Sequence, residues 1–208
     1  MKEFTVLSGC AIPMAEDNID TDQLCPKQHL LRLEKTGFDR ALFSDKRFDA
    51  NGVEQPDFIL NRAPWREGSI LIAGDNFGCG SSREHAVWAL VQWGIRCVIA
   101  PSFGDIFFQN CVNSGLLAIR LPRKTVNVLV HQAQSEPGAL WTIDLPAQTV
   151  VPPRGEATTT FEIDATRKER LLLGLDEIAL THRHQREIDE FEARQRREAP
   201  WLWRAVRL

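Results

Sequence analysis

Gly74-Asp75-Asn76-Phe77-Gly78-Cys79-Gly80-Ser81-Ser82-Arg83-Glu84-His85-Ala86 lies between an apolar run and a helical one, and its reading decides the fold. Ser69–Ala73 before it reads as a buried strand, and Ser81–Gly94 puts Ala86, Leu90 and Trp93 on one side of a helix. The pattern then repeats, with a strand over Arg96–Ala100, a helix over Ser102–Ser114 and a strand over Leu116–Ile119. Short connections in such a series imply parallel pairing with right-handed crossovers, so the fold class is α/β. Ligands of such sheets sit beyond the carboxyl ends of the strands, where the glycine-rich stretch falls.

Upstream, Phe4–Pro13 reads as a strand, Glu16–Asp22 as a loop, and Lys27–Thr36 as a short helix stopped by Gly37. Phe38–Arg66 keeps no period and reads as a long excursion with local turns. Downstream, a helix is expected from Leu121 to Gln134. Strand-like pieces at Leu140–Leu145, Gln148–Val151 and Thr158–Ile163 predict a β-rich second layer. A helix over Thr166–Leu173 and a charged helix from about Asp176 to Glu198 close the chain; the charged one reads as a solvated face with i,i+4 pairs. The tail Trp201-Leu202-Trp203 is too apolar for free solvent and is expected to dock on this domain or on a partner. One domain over residues 1–208 is expected, with the charged helix and tail from about 176 as its appendage.

Composition narrows the function. The chain has 208 residues, 43% hydrophobic and 25% charged, with a net charge of −3, which gives no electrostatic reason to bind nucleic acid. Its longest apolar runs fall far short of the ~20 residues that cross a bilayer. Met1–Gly9 has no secretory h-region, so a cytoplasmic location is expected. Cys10, Cys25, Cys79, Cys97 and Cys111 include no C-x-x-C pair, which argues for reduced thiols and against a disulfide framework or a self-contained zinc or iron–sulfur site. No metal ligands are expected in this chain.

Glycines at 74, 78 and 80 let the loop turn its amides toward a ligand, and the following helix start adds unpaired N–H donors. An anion site results. Arg83 stands where the dinucleotide fingerprint needs a small residue, and no Walker A Gly-Lys-[Ser/Thr] is present, so a nucleotide is disfavoured. Arg83 can instead grip a carboxylate through two parallel hydrogen bonds. Ser81-x-x-Glu84 is also a capping box, and His85 also reads as an interior histidine. The concentration of Ser81, Ser82, Arg83, Glu84 and His85 at one helix start favours function over either reading alone.

Residues 74–86, with NIDTDQLCPKQHL at 18–30, APSFGDIFFQN at 100–110, TGFDRALF at 36–43 and FEIDATRKERLLLGLDEIALT at 161–181, resemble the small subunits of 3-isopropylmalate dehydratase, within the aconitase superfamily. The resemblance covers nearly the whole chain. It implies a swivelling β/β/α domain like the C-terminal domain of aconitase. It also implies a [4Fe–4S] cluster held by a separate large subunit, whose iron acts as a Lewis acid on the leaving hydroxyl. By matching position, Ser81 would be the catalytic base, acting as an alkoxide, with Ser82 and Arg83 holding a substrate carboxylate. Gly78, Gly80, Glu84 and His85 would support that site. Asp20 and Asp22 match the family's DTD turn, which orders the adjoining loop in the resemblance and on sequence alone is equally a turn-forming pair. Lys27 matches a basic position that meets a substrate carboxylate and reads equally as a solvated lysine. His29 and Cys25 depart from the family's aromatic and aliphatic residues in the segment facing the substrate side chain. The implied reaction interconverts 2-isopropylmalate and 3-isopropylmalate through isopropylmaleate in leucine biosynthesis. A paralogous subunit for another 2-alkylmalate or related dicarboxylate, and a non-catalytic anion-binding module, are the alternatives.

Overall fold

The computed structural model describes residues 1–30, 34–155 and 157–203, in two units, Met1–Gly174 and Leu175–Leu208. The strands of the first unit are β1 (Val6–Met14), β2 (Ile70–Ala73), β3 (Cys97–Ala100), β4 (Leu117–Arg120), β5 (Leu140–Asp144), β6 (Thr149–Val151) and β7 (Thr159–Thr160). They form one sheet in the order β4-β3-β2-β1-β5-β6-β7. Pairing is parallel from β1 through β4 and antiparallel from β1 through β7, so β1 belongs to both halves.

β2 and β3 are buried along their whole length because helices cover both faces, and this is why they read as unbroken apolar runs. Their side chains alternate. Leu71, Ala73, Val98 and Ala100 pack with α3 (Glu84–Trp93) and α4 (Asp105–Asn113). Ile70, Ile72, Cys97 and Ile99 pack with α5 (Arg123–Ser135) and α6 (Ala165–Leu173) on the opposite face. α3 stops at Gly94, whose φ of 113° is a left-handed cap that favours glycine. α5 then crosses behind β1, β2 and β3, returning the chain from the β4 edge to lay β5 beside β1.

Between β1 and β2 lie α1 (Thr21–Leu24), α2 (Ser44–Arg47) and 3-10 turns at Lys27–His29, Phe38–Arg40, Ile59–Asn61 and Trp65–Glu67. The long excursion is therefore folded, and Arg47 shows how. Its buried guanidinium donates to the carbonyls of Asp39 and Leu42 and to Asn61 Oδ1, and lies 4.1 Å from the Trp93 ring centre. A buried charge held by three hydrogen bonds and a ring face pins the segment to α3.

Three expectations are corrected. The antiparallel strands join the parallel ones in one sheet through β1, and the last of them, expected over Thr158–Ile163, shrinks to Thr159–Thr160. The helix expected over Lys27–Thr36 is a 3-10 turn at Lys27–His29, with bends at 34 and 35 and residues 31–33 outside the described residues. Gln28 Nε2 donates to Asp45 Oδ1, and His29 Nε2 shares a 2.9 Å hydrogen bond with Ser44 Oγ, so tertiary contacts take over from helix propagation. The charged C-terminal helix is two helices, α7 (Glu177–His182) and α8 (Gln185–Glu198).

In the second unit α8 carries the expected i,i+4 pairs, Arg186–Glu190 and Glu192–Arg196. A 3-10 turn at Pro200–Trp203 follows, exposed apart from the Arg196 guanidinium over the Trp203 ring. Among the described residues no helix is long and apolar enough to cross a membrane.

Candidate active site

The loops that follow β1, β2 and β3 meet at the carboxyl ends of the parallel strands. The glycine-rich loop runs along the first of them. Gly78 N–H donates to the Ile19 carbonyl (2.7 Å), the Cys79 carbonyl accepts from Thr21 N–H (2.9 Å), and the Ser81 carbonyl accepts from Thr21 Oγ1 (3.0 Å). On its other side Phe77 N–H and carbonyl pair with Ser102 and Gly104. An open cleft of about 130 Å³ lies between Gly78–Ser81 and Gly104–Phe107.

Two glycines are needed by that close approach. Gly78 has φ +72°, and a Cβ there would stand 2.2 Å from the Phe107 ring; a Cβ on Gly104 would stand 2.6 Å from the Gly78 carbonyl oxygen. Gly78→Ala therefore combines a left-handed backbone with overpacking. We expect it to lose about 2–5 kcal/mol in urea unfolding, the sum of the two costs. A loss of only about 1–2 kcal/mol, the backbone cost alone, would mean that Phe107 gives way freely.

α3 begins at Glu84, and its N-cap is Arg83 in extended conformation (φ −122°, ψ 122°) without a side-chain cap bond. Ser81 thus lies outside the helix, and the capping-box reading fails: the Thr21 hydroxyl holds the Ser81 backbone in a separate turn. The Ser81 side chain is exposed, and its Oγ accepts from Arg83 Nη2 at 3.1 Å. The same guanidinium makes a two-point contact with Asp22, at 2.5 Å to Oδ1 and 3.4 Å to Oδ2. Arg83 therefore joins the serine to a carboxylate.

The other singled-out residues fall around this trio. Asp20 Oδ1 caps α1 by accepting from Gln23 N–H, so the two carboxylates of the DTD turn have different tasks. Ser82 and Glu84 are exposed beside Arg83, and Gly80 takes φ +94°. The half-buried His85 ring packs on Phe38 and Trp88, with Nδ1 buried and unpartnered. Lys27 is exposed, while His29 is half-buried against Ser44. Cys79 lines the cleft; burial and then the Asp20 carboxylate push its thiol up, away from thiolate.

Sequence reasoning missed Thr21, whose buried hydroxyl holds Ser81; the DTD motif drew notice only to its acids. It also missed a cluster at the start of the loop. Arg123 bridges Asp17 (2.7 Å) and Asp75, Asp17 Oδ1 accepts from Asp75 N–H (2.8 Å), and Ser102 Oγ donates to Asp75 Oδ1 (2.9 Å). The Arg123 hydrogen bond holds the Asp17 carboxyl below the usual carboxylate range. A depressed folded pKa contributes stability above the unfolded value and loses it as pH falls through the depressed one, so this bridge is intact at neutral pH and opens only in acid.

Residues 1–124 match the model of the aconitase C-terminal domain, which defines the class of this α/β unit and of the cleft on it. Residues 127–165 match LeuD_N, and 177–205 match the C-terminal domain of the 3-isopropylmalate dehydratase small subunit. The chain belongs to the family of 3-isopropylmalate dehydratase small subunits. It is 52% identical to that subunit of Rhodospirillum centenum over 201 residues, 97% of this chain and 98% of the relative. With the small subunit from Rhodospirillum rubrum it shares 51% over 202 residues, 97% of each. The crystal structure of 3-isopropylmalate dehydratase (leuD) from Methanocaldococcus jannaschii matches with a TM-score of 0.64 and 27% identity, over 89% of this chain and 99% of that one.

Proposed function

We propose that Ser81 is the base, and Arg83 the carboxylate clamp, of a hydro-lyase that interconverts 2-isopropylmalate and 3-isopropylmalate through isopropylmaleate in leucine biosynthesis. The observation that carries this reading is the single guanidinium reaching both the Ser81 hydroxyl and a carboxylate. A hydrogen bond from a cation to a hydroxyl favours the alkoxide, and the fork that donates to Asp22 at two points has the shape to hold a substrate carboxylate in its place.

In the dehydrating direction the proton on the carbon beside the gripped carboxylate passes to Ser81 Oγ, and the C–H electron pair becomes the new C=C bond as the hydroxyl departs from the neighbouring carbon. In rehydration Ser81 returns the proton. Arg83, with Ser82 beside it, fixes the carboxylate so that the C–H bond faces the oxygen. Lys27 takes a second carboxylate, and His29, held by Ser44, contacts the substrate side chain. Asp20, Gly78, Gly80, Glu84 and His85 shape the turn around these groups.

Departure of the hydroxyl falls to the large subunit, because this chain's donors do not fit a cluster. Cys25, Cys97 and Cys111 are buried, and burial pushes the Cys97 and Cys111 thiols far up, opposite to what an iron-bound thiolate requires. Among the described residues no three His, Cys, Asp or Glu side chains group as metal ligands. We place the [4Fe–4S] cluster on the partner, in a cytoplasmic heterodimer. Anaerobic iron–sulfur reconstitution tests this division: the chain alone should stay colourless and inactive, and mixing with the large subunit should give both absorbance and turnover of isopropylmalate. A stoichiometric cluster in this chain alone would overturn it.

A further inference from the structure

We infer that Arg123, remote in sequence from the glycine-rich loop, is a positioning residue for the reaction, holding the loop that carries Ser81 by bridging Asp17 and Asp75. This rests on the reading of Ser81 as the base.

Arg123 sits where helix physics disfavours it. It is the first residue of α5, directly after Pro122, and the first turn has no acidic residue, so its charge faces the positive end of the helix dipole. Stability gives little reason to keep it there. The side chains of the three partners are 48, 38 and 37% exposed, and ion pairs so solvated contribute little. A residue that breaks a local rule for so small a stability gain points to the site it serves.

What the bridge does follows from where its carboxylates come from. Asp17 lies on the loop after β1 and Asp75 on the loop after β2, and both flank one guanidinium. Without the cation two like charges would face each other across the junction of the loops. Ser102, from the loop after β3, ties in as donor to Asp75 Oδ1 and acceptor of Asn76 N–H (2.8 Å), while Asn76 Nδ2 donates to Asn18 Oδ1 (2.9 Å). From this junction the chain reaches Ser81 through buried Phe77 and through Gly78, which packs on Phe107 with no room for a Cβ. Tight packing transmits a shift at Asp75 toward Ser81. Arg83 has its own anchor in Asp22, so loss of Arg123 disturbs the base more than the carboxylate clamp.

The test is steady-state kinetics of the reconstituted two-subunit enzyme. Arg123→Met should lower kcat about 10-fold or more while KM stays within roughly threefold, because misplacing a base slows proton transfer without removing the clamp. Adding Asp17→Asn removes the facing charge and keeps an oxygen to accept Asp75 N–H. The double variant should recover kcat to within about threefold of wild type, a rescue that mere loss of structure would not give. Wild-type kcat in Arg123→Met, or a double variant no faster than the single, overturns the proposal. Ser81→Ala in the same assay separates the two readings: wild-type turnover there overturns the site assignment and this proposal together. Loss of turnover in Ser81→Ala with wild-type kcat in Arg123→Met overturns this proposal alone.

Discussion

Ser81→Asn is expected to fold, to bind the large subunit, and to lose turnover by about 10³-fold or more, near the upper range for removal of a general base. Stability should change by no more than about 0.5 kcal/mol, since the side chain is exposed and caps no helix. Had Ser81 been the N-cap, alanine would cost about 0.5–2 kcal/mol and asparagine almost nothing. With the helix starting at Glu84, both substitutions should leave thermal unfolding unchanged and both should abolish turnover. Kinetics beside unfolding of Ser81→Ala and Ser81→Asn decides it. Near wild-type turnover in Ser81→Asn would send the search for the base elsewhere.

Arg83→Lys should fail differently. Lysine keeps the charge but offers a point where the guanidinium offers a fork, so it can serve Ser81 or a carboxylate but not both in the present geometry. A lost charge-assisted hydrogen bond is worth about 1.5–3 kcal/mol, which converts to a rise in KM of about 10–100-fold. Turnover should fall as well, by about 10-fold, as Ser81 loses the donor that favours its ionised form. Separate determination of kcat and KM for isopropylmalate checks both. An unchanged KM would take the clamp away from Arg83.

How much of this was legible in the sequence depended on whether the deciding force was local. The parallel strands and their helices could be read because a strand covered on both faces must be apolar throughout, and because Gly74 and Gly94 punctuate the chain where the elements end. The cleft could be placed because loop glycines and an arginine have few other uses at such a junction. Tertiary contact hid the rest. Ser81-x-x-Glu84 has the composition of a capping box, yet the Thr21 hydroxyl, sixty residues away, holds the Ser81 carbonyl and moves the helix start to Glu84. That Asp22 reaches Arg83, or that Arg123 joins Asp17 to Asp75, depends on side chains from separate loops, and no periodicity encodes such a meeting. The one local sign for Arg123 was a cation at a helix start. β1 hid its double role because nine residues of strand look alike whichever way their neighbours run.

The passage of α5 behind the sheet has a consequence for how such a chain can diverge. Asp17, Asp22, Gly78, Ser81, Arg83, Gly104 and Arg123 all precede residue 125, inside the stretch shared with aconitases, whereas the returning helix and the antiparallel strands that follow it fall almost wholly in the stretch matched by LeuD_N. The two portions touch through β1 and through the helix that joins them. Substitutions in the later portion are therefore constrained where α5 packs beneath β2 and β3 and freer at the outer edge of the sheet, with Arg123 standing at the seam.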